Sequence, residues 1–420
     1  MVVVIKLDLK ENVAMRGNKY IGTVSSLYLN YFVYGMVNII LASHMSFLTE
    51  QLNTDKSGVS FLVAAIGMGR LLTLYISGVL SDKFGRKPFV ITSCALMVIF
   101  LVGIPFSPNV TVAAIFAALA GVANACMDSG TYPALMEIFP KSAGAATVLV
   151  RGFISIGAII LPLMVVYFMN HGIFYGVSFF IPALIYFINI FYLSKKKFPC
   201  LTSQVIKKKN VQDHGKEYVS KPRFWLEGLC LILIGFTGPA LLYIVQLWLP
   251  TFGQQVIGLN EAASLKLLTY YSIGSLVSVF TLTLILHKIV KPVTVVLIYP
   301  VISILALISL FFFQSPIGVI ISSFTIGFSI SGVLQLALTV MSEFFGERKG
   351  QITGFIYTST SIAYTIIPLI TGFILKNGNV SGIFLFAILI NFIGICLAVL
   401  VKYRFIKVFY RKNVTVGDVA

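Results

Sequence analysis

Long apolar runs separated by short polar breaks occupy the chain from residue 21 to residue 401. A run of about 20 mainly apolar residues is long enough to cross the roughly 30 Å hydrocarbon core of a bilayer as a helix. Twelve such runs occur, approximately 21–48, 57–80, 89–106, 111–138, 144–168, 172–193, 225–250, 261–286, 293–312, 316–342, 352–375 and 380–401. They are continuously apolar and lack the alternation of lipid-facing strands, which argues against a β-barrel. The stretch 194–224, with Lys195 to Lys197 and Lys207 to Lys209, is too charged to enter a bilayer. The pattern predicts an all-α membrane protein: a six-helix bundle over 1–193, a linker over 194–224, a second six-helix bundle over 225–401 and a tail over 402–420.

Composition agrees, with 58% hydrophobic against 11% charged residues. A formal charge of +17 would suggest nucleic acid in a soluble chain, but its placement excludes that reading. Of 31 Lys and Arg, 26 lie in the N-terminal segment, the even-numbered loops and the tail. Only Lys56, Lys266 and Lys376 fall in odd-numbered loops, while Arg70 and Arg151 lie within spans. Basic residues stay on the cytoplasmic side, so both termini are expected inside, in a multi-pass protein of the cell membrane. Lys6, Lys10, Arg16 and Lys19 precede a first span too long for a signal h-region, which is therefore retained. Cys94, Cys126, Cys230 and Cys396 lie in separate spans and Cys200 in the linker, giving neither a disulfide framework nor metal-ligand spacing. No metal or cofactor is expected. Asn109-Val-Thr111 and Asn379-Val-Ser381 match a glycosylation pattern by chance in very short loops.

The halves are related by duplication. A shift of 206 positions superimposes Glu137, Phe139, Gly144, Thr147, Ser155, Ile156, Pro162 and Leu163 on Glu343, Phe345, Gly350, Thr353, Ser361, Ile362, Pro368 and Leu369. Spans 4 and 5 thus correspond to spans 10 and 11.

The polar residues inside the spans are the candidates for chemistry. Tyr28, Tyr31, Gly35 and Asn38 share one face of span 1, suited either to lining a cavity or to interhelical packing. Arg70 stands 12 residues before Asp82, about 18 Å from the helix end and near mid-bilayer. A guanidinium there must face a cavity or a partner, and its fork suits a carboxylate. Asp128, about 14 Å in from the end of span 4, is the only acid deep in a span, with Gly121, Asn124 and Thr131 on its face. It fits either proton coupling or static pairing with Arg70 or Arg151. Arg151, about 10 Å into span 5, is expected in a structural ion pair with Asp128 or Glu137. The second half offers no deep charge; Gln335 and Tyr357 are its better cavity candidates, ahead of Tyr243, Gln246, Trp248, Tyr270 and Tyr271.

The loop between spans 2 and 3 reads Gly78, Val79, Leu80, Ser81, Asp82, Lys83, Phe84, Gly85, Arg86, Lys87, Pro88. It resembles the loop between helices 2 and 3 of the major facilitator superfamily of secondary transporters: Gly, any, Leu, any, Asp, any, any, Gly, Arg, Lys. The resemblance covers essentially the whole chain, since twelve spans, paired halves and a long central loop also match. It implies two pseudo-symmetric six-helix bundles with the substrate site between them near mid-bilayer. It further implies that Gly78 permits close approach of helix 11, that Asp82 docks on that helix, and that Arg86 links to Glu137. With Gly85 and Glu343, these would form a cytoplasmic gate. After span 8 only His287, Lys288, Lys291 and Pro292 remain of a second copy of the loop. The Arg usual in helix 4 of drug antiporters is Ala117 here, and their helix 5 Gly-Pro element is Leu161-Pro162-Leu163-Met164.

These features lead to a secondary transporter working by alternating access, coupled to protons as a symporter and moving a small organic anion such as a carboxylate. Arg70, Tyr31, Asn38, Asn124, Gln335 and Tyr357 would bind substrate and Asp128 would carry the proton. The alternatives are a transporter of neutral sugar-like or amphipathic drug-like solutes, or a receptor that has lost transport. The expected partners are a small-molecule substrate, H+ and lipid, with the chain a monomer. No nucleophile with a base, no metal cluster and no phosphate-binding GxxxxGK[ST] loop points to an enzyme or an ATP-driven pump.

Overall fold

Short polar side chains at the end of the molecule away from the linker set four helix starts. Asp55, Asn109, Asn260 and Ser315 each accept a hydrogen bond from the backbone N–H three residues on, satisfying a donor that the first turn would leave open. Asp55 and Asn260 are 205 positions apart and Asn109 and Ser315 206 apart, so the duplication extends to the caps.

The computed structural model describes residues 20–139, 142–199, 222–286, 290–345 and 349–409. Within them are twelve helices long and apolar enough to span a bilayer: α1 (Ile21–Ser43), α2 (Lys56–Phe84), α3 (Arg86–Phe106), α4 (Val110–Ile138), α5 (Ala146–Asn170), α6 (Val177–Ser194), α7 (Phe224–Gln255), α8 (Glu261–Ile285), α9 (Pro292–Phe312), α10 (Pro316–Phe344), α11 (Gly354–Asn377) and α12 (Val380–Phe409). Most of the linker, together with His287, Lys288 and Cys200, lies outside the described residues.

Several boundaries differ from the sequence expectation; α6 begins at Val177 instead of 172 and α7 ends at Gln255 instead of 250. The first span ends at His44, and a short helix, Met45–Gln51, follows it. Span 10 is broken at Ser331 and Gly332, where Gly332 adopts φ +86°, a conformation in which a Cβ would be strained. Helix α12 runs eight residues beyond the expected end, to Phe409. This carries Arg404 to the start of α7, where its Nη2 lies 2.6 Å from Glu227 Oε1 and its Nε donates to the same oxygen at 2.7 Å. Glu227 is fully buried, and its second oxygen accepts from the backbone N–H of Arg223. Sequence reading missed this pair because each member sits at a span end.

Packing repeats in the two halves. Helix α2 packs on α4, α3 on α4 and α6, and α1 on α5 and α6; correspondingly α8 packs on α10, α9 on α10 and α12, and α7 on α11 and α12. Large apolar side chains point outward from α6, α9 and α12, among them Leu184, Phe191, Leu305, Leu389 and Phe392. An apolar surface of this extent belongs in lipid.

The halves meet chiefly through α2 on α11 and α5 on α8, which the duplication relates to each other. At the end bearing Lys56 and Lys376 the α2–α11 seam is tight: Ser57 Oγ donates to Gly372 O at 2.9 Å and Ser60 Oγ to Pro368 O at 3.1 Å. Gly67 lies so close that a Cβ there would stand 2.5 Å from the Tyr364 carbonyl carbon. Gly78 is eleven residues further along, within about 20° of the same face, yet among the described residues a Cβ there would meet nothing within 4 Å. The helices therefore diverge toward the basic end, which carries Arg86, Lys195, Arg223 and Arg404. Among the described residues, the close approach of helix 11 to Gly78 expected from the family loop is not made in this conformation.

Gly67→Leu should lower stability by overpacking, by about 1–3 kcal/mol, whereas Gly78→Leu should change it by less than about 0.5 kcal/mol. Thermal unfolding of the two variants in detergent measures the difference, and equal losses would contradict the divergence.

Candidate functional site

Where the halves diverge they enclose a central cavity of about 100 Å³, lined from α1, α2, α4 and α5 on one side and α7, α8, α10 and α11 on the other. The polar stripe of α1 divides. Tyr31 and Asn38 face the cavity. Tyr28 stacks on Phe153 at 5.0 Å and donates to Ala146 O, and Gly35 lies against the Ile154 carbonyl, so both serve packing against α5.

Arg70 and Asp128 meet across the α2–α4 interface, Nη2 to Oδ2 at 2.8 Å. The Tyr31 hydroxyl donates to the other carboxylate oxygen at 2.6 Å, so both oxygens of Asp128 are occupied. Arg70 Nε is buried without a partner.

Arg151 does not behave as expected. Asp128 is taken by Arg70 and Tyr31, and Glu137 by Arg86, so neither pairs with it. Its guanidinium instead reaches across to the second half, where Gln335, turned so that its oxygen faces Arg151, accepts from Nε at 2.6 Å and Nη2 at 2.7 Å. Arg151 is thus a cavity residue and not a member of an ion pair among the described residues. Gln335 and Tyr357 line the cavity as anticipated.

Asn124 does not line it. The α4 face around Gly121 is covered by α2, whose Ile66 and Arg70 backbone atoms abut Gly121. Asn124 is buried in α4, and the cavity touches this helix at Asp128 and Tyr132. Sequence reading missed Tyr132, although it lies one turn beyond Asp128, and it missed Ser331 and Gly332 at the α10 break. Toward the sealed end, Asn38 Nδ2 donates to Gln246 Oε1 at 2.8 Å, joining α1 to α7 across the halves.

At the basic end, Gly85 turns the chain between α2 and α3 with φ +91°. Arg86 donates to Glu137 from Nη2 at 3.1 Å and Nε at 3.2 Å, and to Asp82 from Nη1 at 2.5 Å. The Arg86–Glu137 link is therefore formed. Asp82 is 72% exposed and engaged with Arg86, and among the described residues it has no hydrogen bond or ion pair with α11, consistent with the splayed helices. Glu343 ends α10, partly buried.

The sequence pattern of the Major Facilitator Superfamily matches residues 27–356. The chain belongs to that superfamily. It is 48% identical over 391 residues to the uncharacterized MFS-type transporter YfkL of Bacillus subtilis (strain 168), covering 92% of this chain and 97% of the relative. It is 36% identical to the inner membrane transport protein YdiN of Escherichia coli (strain K12), covering 93% and 92%. The fold is similar to the inward-open conformation of the xylose transporter XylE from E. coli, with a TM-score of 0.71, 14% identity, and coverage of 93% and 97%. The protein is a multi-pass membrane transporter of the alternating-access type, and its central cavity lies where this superfamily binds substrate, between the halves.

A double-mutant cycle tests the Arg70–Asp128 pair. Breaking a buried pair leaves an uncompensated charge, and Asp128 borders the cavity, so Arg70→Gln or Asp128→Asn alone should cost stability at the low end of roughly 3–5 kcal/mol. The double variant, measured by thermal unfolding, should lose less than either single one.

Proposed function

We propose that this transporter carries a small organic anion, a carboxylate, in symport with protons. The observation that supports this reading is the charge in the cavity: two guanidiniums and one carboxylate face the same space. An uncompensated positive charge deep in a membrane is costly, and an anionic substrate neutralises it.

Asp128 is assigned the coupling proton. Protonation removes the charge that holds Arg70, and the freed guanidinium then faces the substrate. Proton and anion consequently bind together and leave together, which is the logic of symport. Tyr31, Asn38, Gln335 and Tyr357 complete the binding surface. Asp82, Arg86, Glu137 and Glu343, with Gly78 and Gly85 at the loop, form the gate at the basic end.

By the positive-inside rule the basic end faces the cytoplasm. Both termini are then cytoplasmic, in a protein of the cell membrane, and the conformation described is inward-facing. We assign the chain to act as a monomer. A neutral polar substrate is the second reading, favoured by the mutual cancellation of Arg70 and Asp128.

Proteoliposome uptake across a substrate panel separates the two. Anion uptake should rise when the outside is acidic, and dependence on neutral solutes alone would overturn the first reading. Asp128→Asn should abolish pH-driven accumulation while preserving exchange, and Arg70→Gln should remove the gain in anion affinity at low pH. Asp82→Asn should slow turnover without changing affinity.

A further inference from the structure

We infer that Arg151, held by Gln335 beside the break in α10, is the standing carboxylate anchor of the cavity, and that its occupant is an aromatic monocarboxylate of single-ring size. This narrows the anion reading above and rests on it.

Charge places the anchor. Arg70 is already matched by Asp128, whereas Arg151 has no carboxylate within 4 Å among the described residues. A guanidinium carries five N–H donors. Two of those on Arg151 point at the Gln335 oxygen, and the three that remain are enough for a bidentate carboxylate contact. Gln335 fixes the fork without cancelling its charge, because an amide is neutral. The break adds to the effect: the helix Val333–Phe344 begins at Gly332 with no side-chain cap. Its first N–H groups lack intrahelical acceptors and favour negative charge. While Asp128 is ionised it holds Arg70, so in that state a second carboxylate on the substrate has no guanidinium of its own and the site selects one negative charge.

The walls select the ring. Tyr34, Tyr132, Tyr243, Tyr271 and Tyr357 line the cavity together with Tyr31. Tyr31 already meets Tyr34 edge-on at 5.9 Å and Tyr132 at 5.6 Å, the offset and edge contacts that aromatic quadrupoles prefer. A flat ring extends that arrangement. The volume of about 100 Å³ lies below the roughly 150 Å³ of a cavity known to hold benzene. A single ring already exceeds that enclosed space and must extend toward the open end, so one ring is the upper limit.

Calorimetric titration of the purified full-length protein with benzoate, cyclohexanecarboxylate, phthalate and benzyl alcohol tests the inference. Benzoate should bind at least tenfold more tightly than each of the others. Arg151→Gln should weaken benzoate at least tenfold, and Arg151→Lys, which keeps the charge but loses the fork, should fall between it and the parent. Should Arg151→Gln fail to fold, Gln335→Ala, which unlocks the guanidinium, should still weaken benzoate about threefold or more. Unchanged benzoate affinity in either Arg151→Gln or Gln335→Ala would overturn the anchor. Cyclohexanecarboxylate equal to benzoate overturns the ring, and phthalate tighter than benzoate overturns the single charge; both leave the anion reading standing. Benzyl alcohol equal to benzoate, or no binding by any carboxylate, overturns the anion reading itself.

Discussion

Charge in a low-dielectric medium must be answered at short range, and in this protein those answers decide which helices belong together. Arg70 with Asp128 joins α2 to α4, Arg86 with Glu137 joins α3 to α4, and Arg404 with Glu227 joins α12 to α7. Each of these ionic links lies within one half. Among the described residues the contacts between the halves are of another kind: hydroxyls on backbone carbonyls along α2 and α11 and along α8 and α5, Asn38 on Gln246, Ser155 near Ser275, Lys56 on Gln254, and Arg151 on a neutral amide. A neutral hydrogen bond contributes about 0.5–1.5 kcal/mol net, whereas removing one partner of a buried ion pair costs several times more. Two firmly tied bodies meeting along a readily remade seam are what alternating access requires.

The seam also shows how the opposite state is reached. Glycine and serine on α2 let its backbone approach α11 at the sealed end, and Gly78 repeats the small side chain at the end now splayed. A helix with close-approach positions at both ends can rock about its middle, exchanging one contact set for the other. The cavity lies near that middle.

Much of this was legible in the sequence. Hydropathy alone delimits twelve spans, because lipid imposes a minimum length on a crossing helix, and the link of Arg86 to Glu137 is implied by the resemblance of the loop to that of the superfamily. Arg70 and Asp128 are recognisable from the sequence as residues that face a cavity or a charged partner, because lipid suits no charge at that depth. What the sequence did not reveal depends on helix rotation and on end effects. Asn124 shares a face with Asp128 yet is covered by α2, a fact fixed by which helix crosses there. Arg151 was assigned an acid partner by charge, but the nearer acids were already engaged. The α10 break rests on one glycine among many, and Glu227 with Arg404 escaped notice because hydropathy is silent about the last turn of a span.

That last pair alters the mechanical status of the connection between the halves. Glu227 grips Arg404 with one oxygen and the backbone N–H of Arg223 with the other, so the chain enters the second half at a corner already locked to its final helix. A pull arriving there acts on the whole bundle and cannot peel α7 away from it.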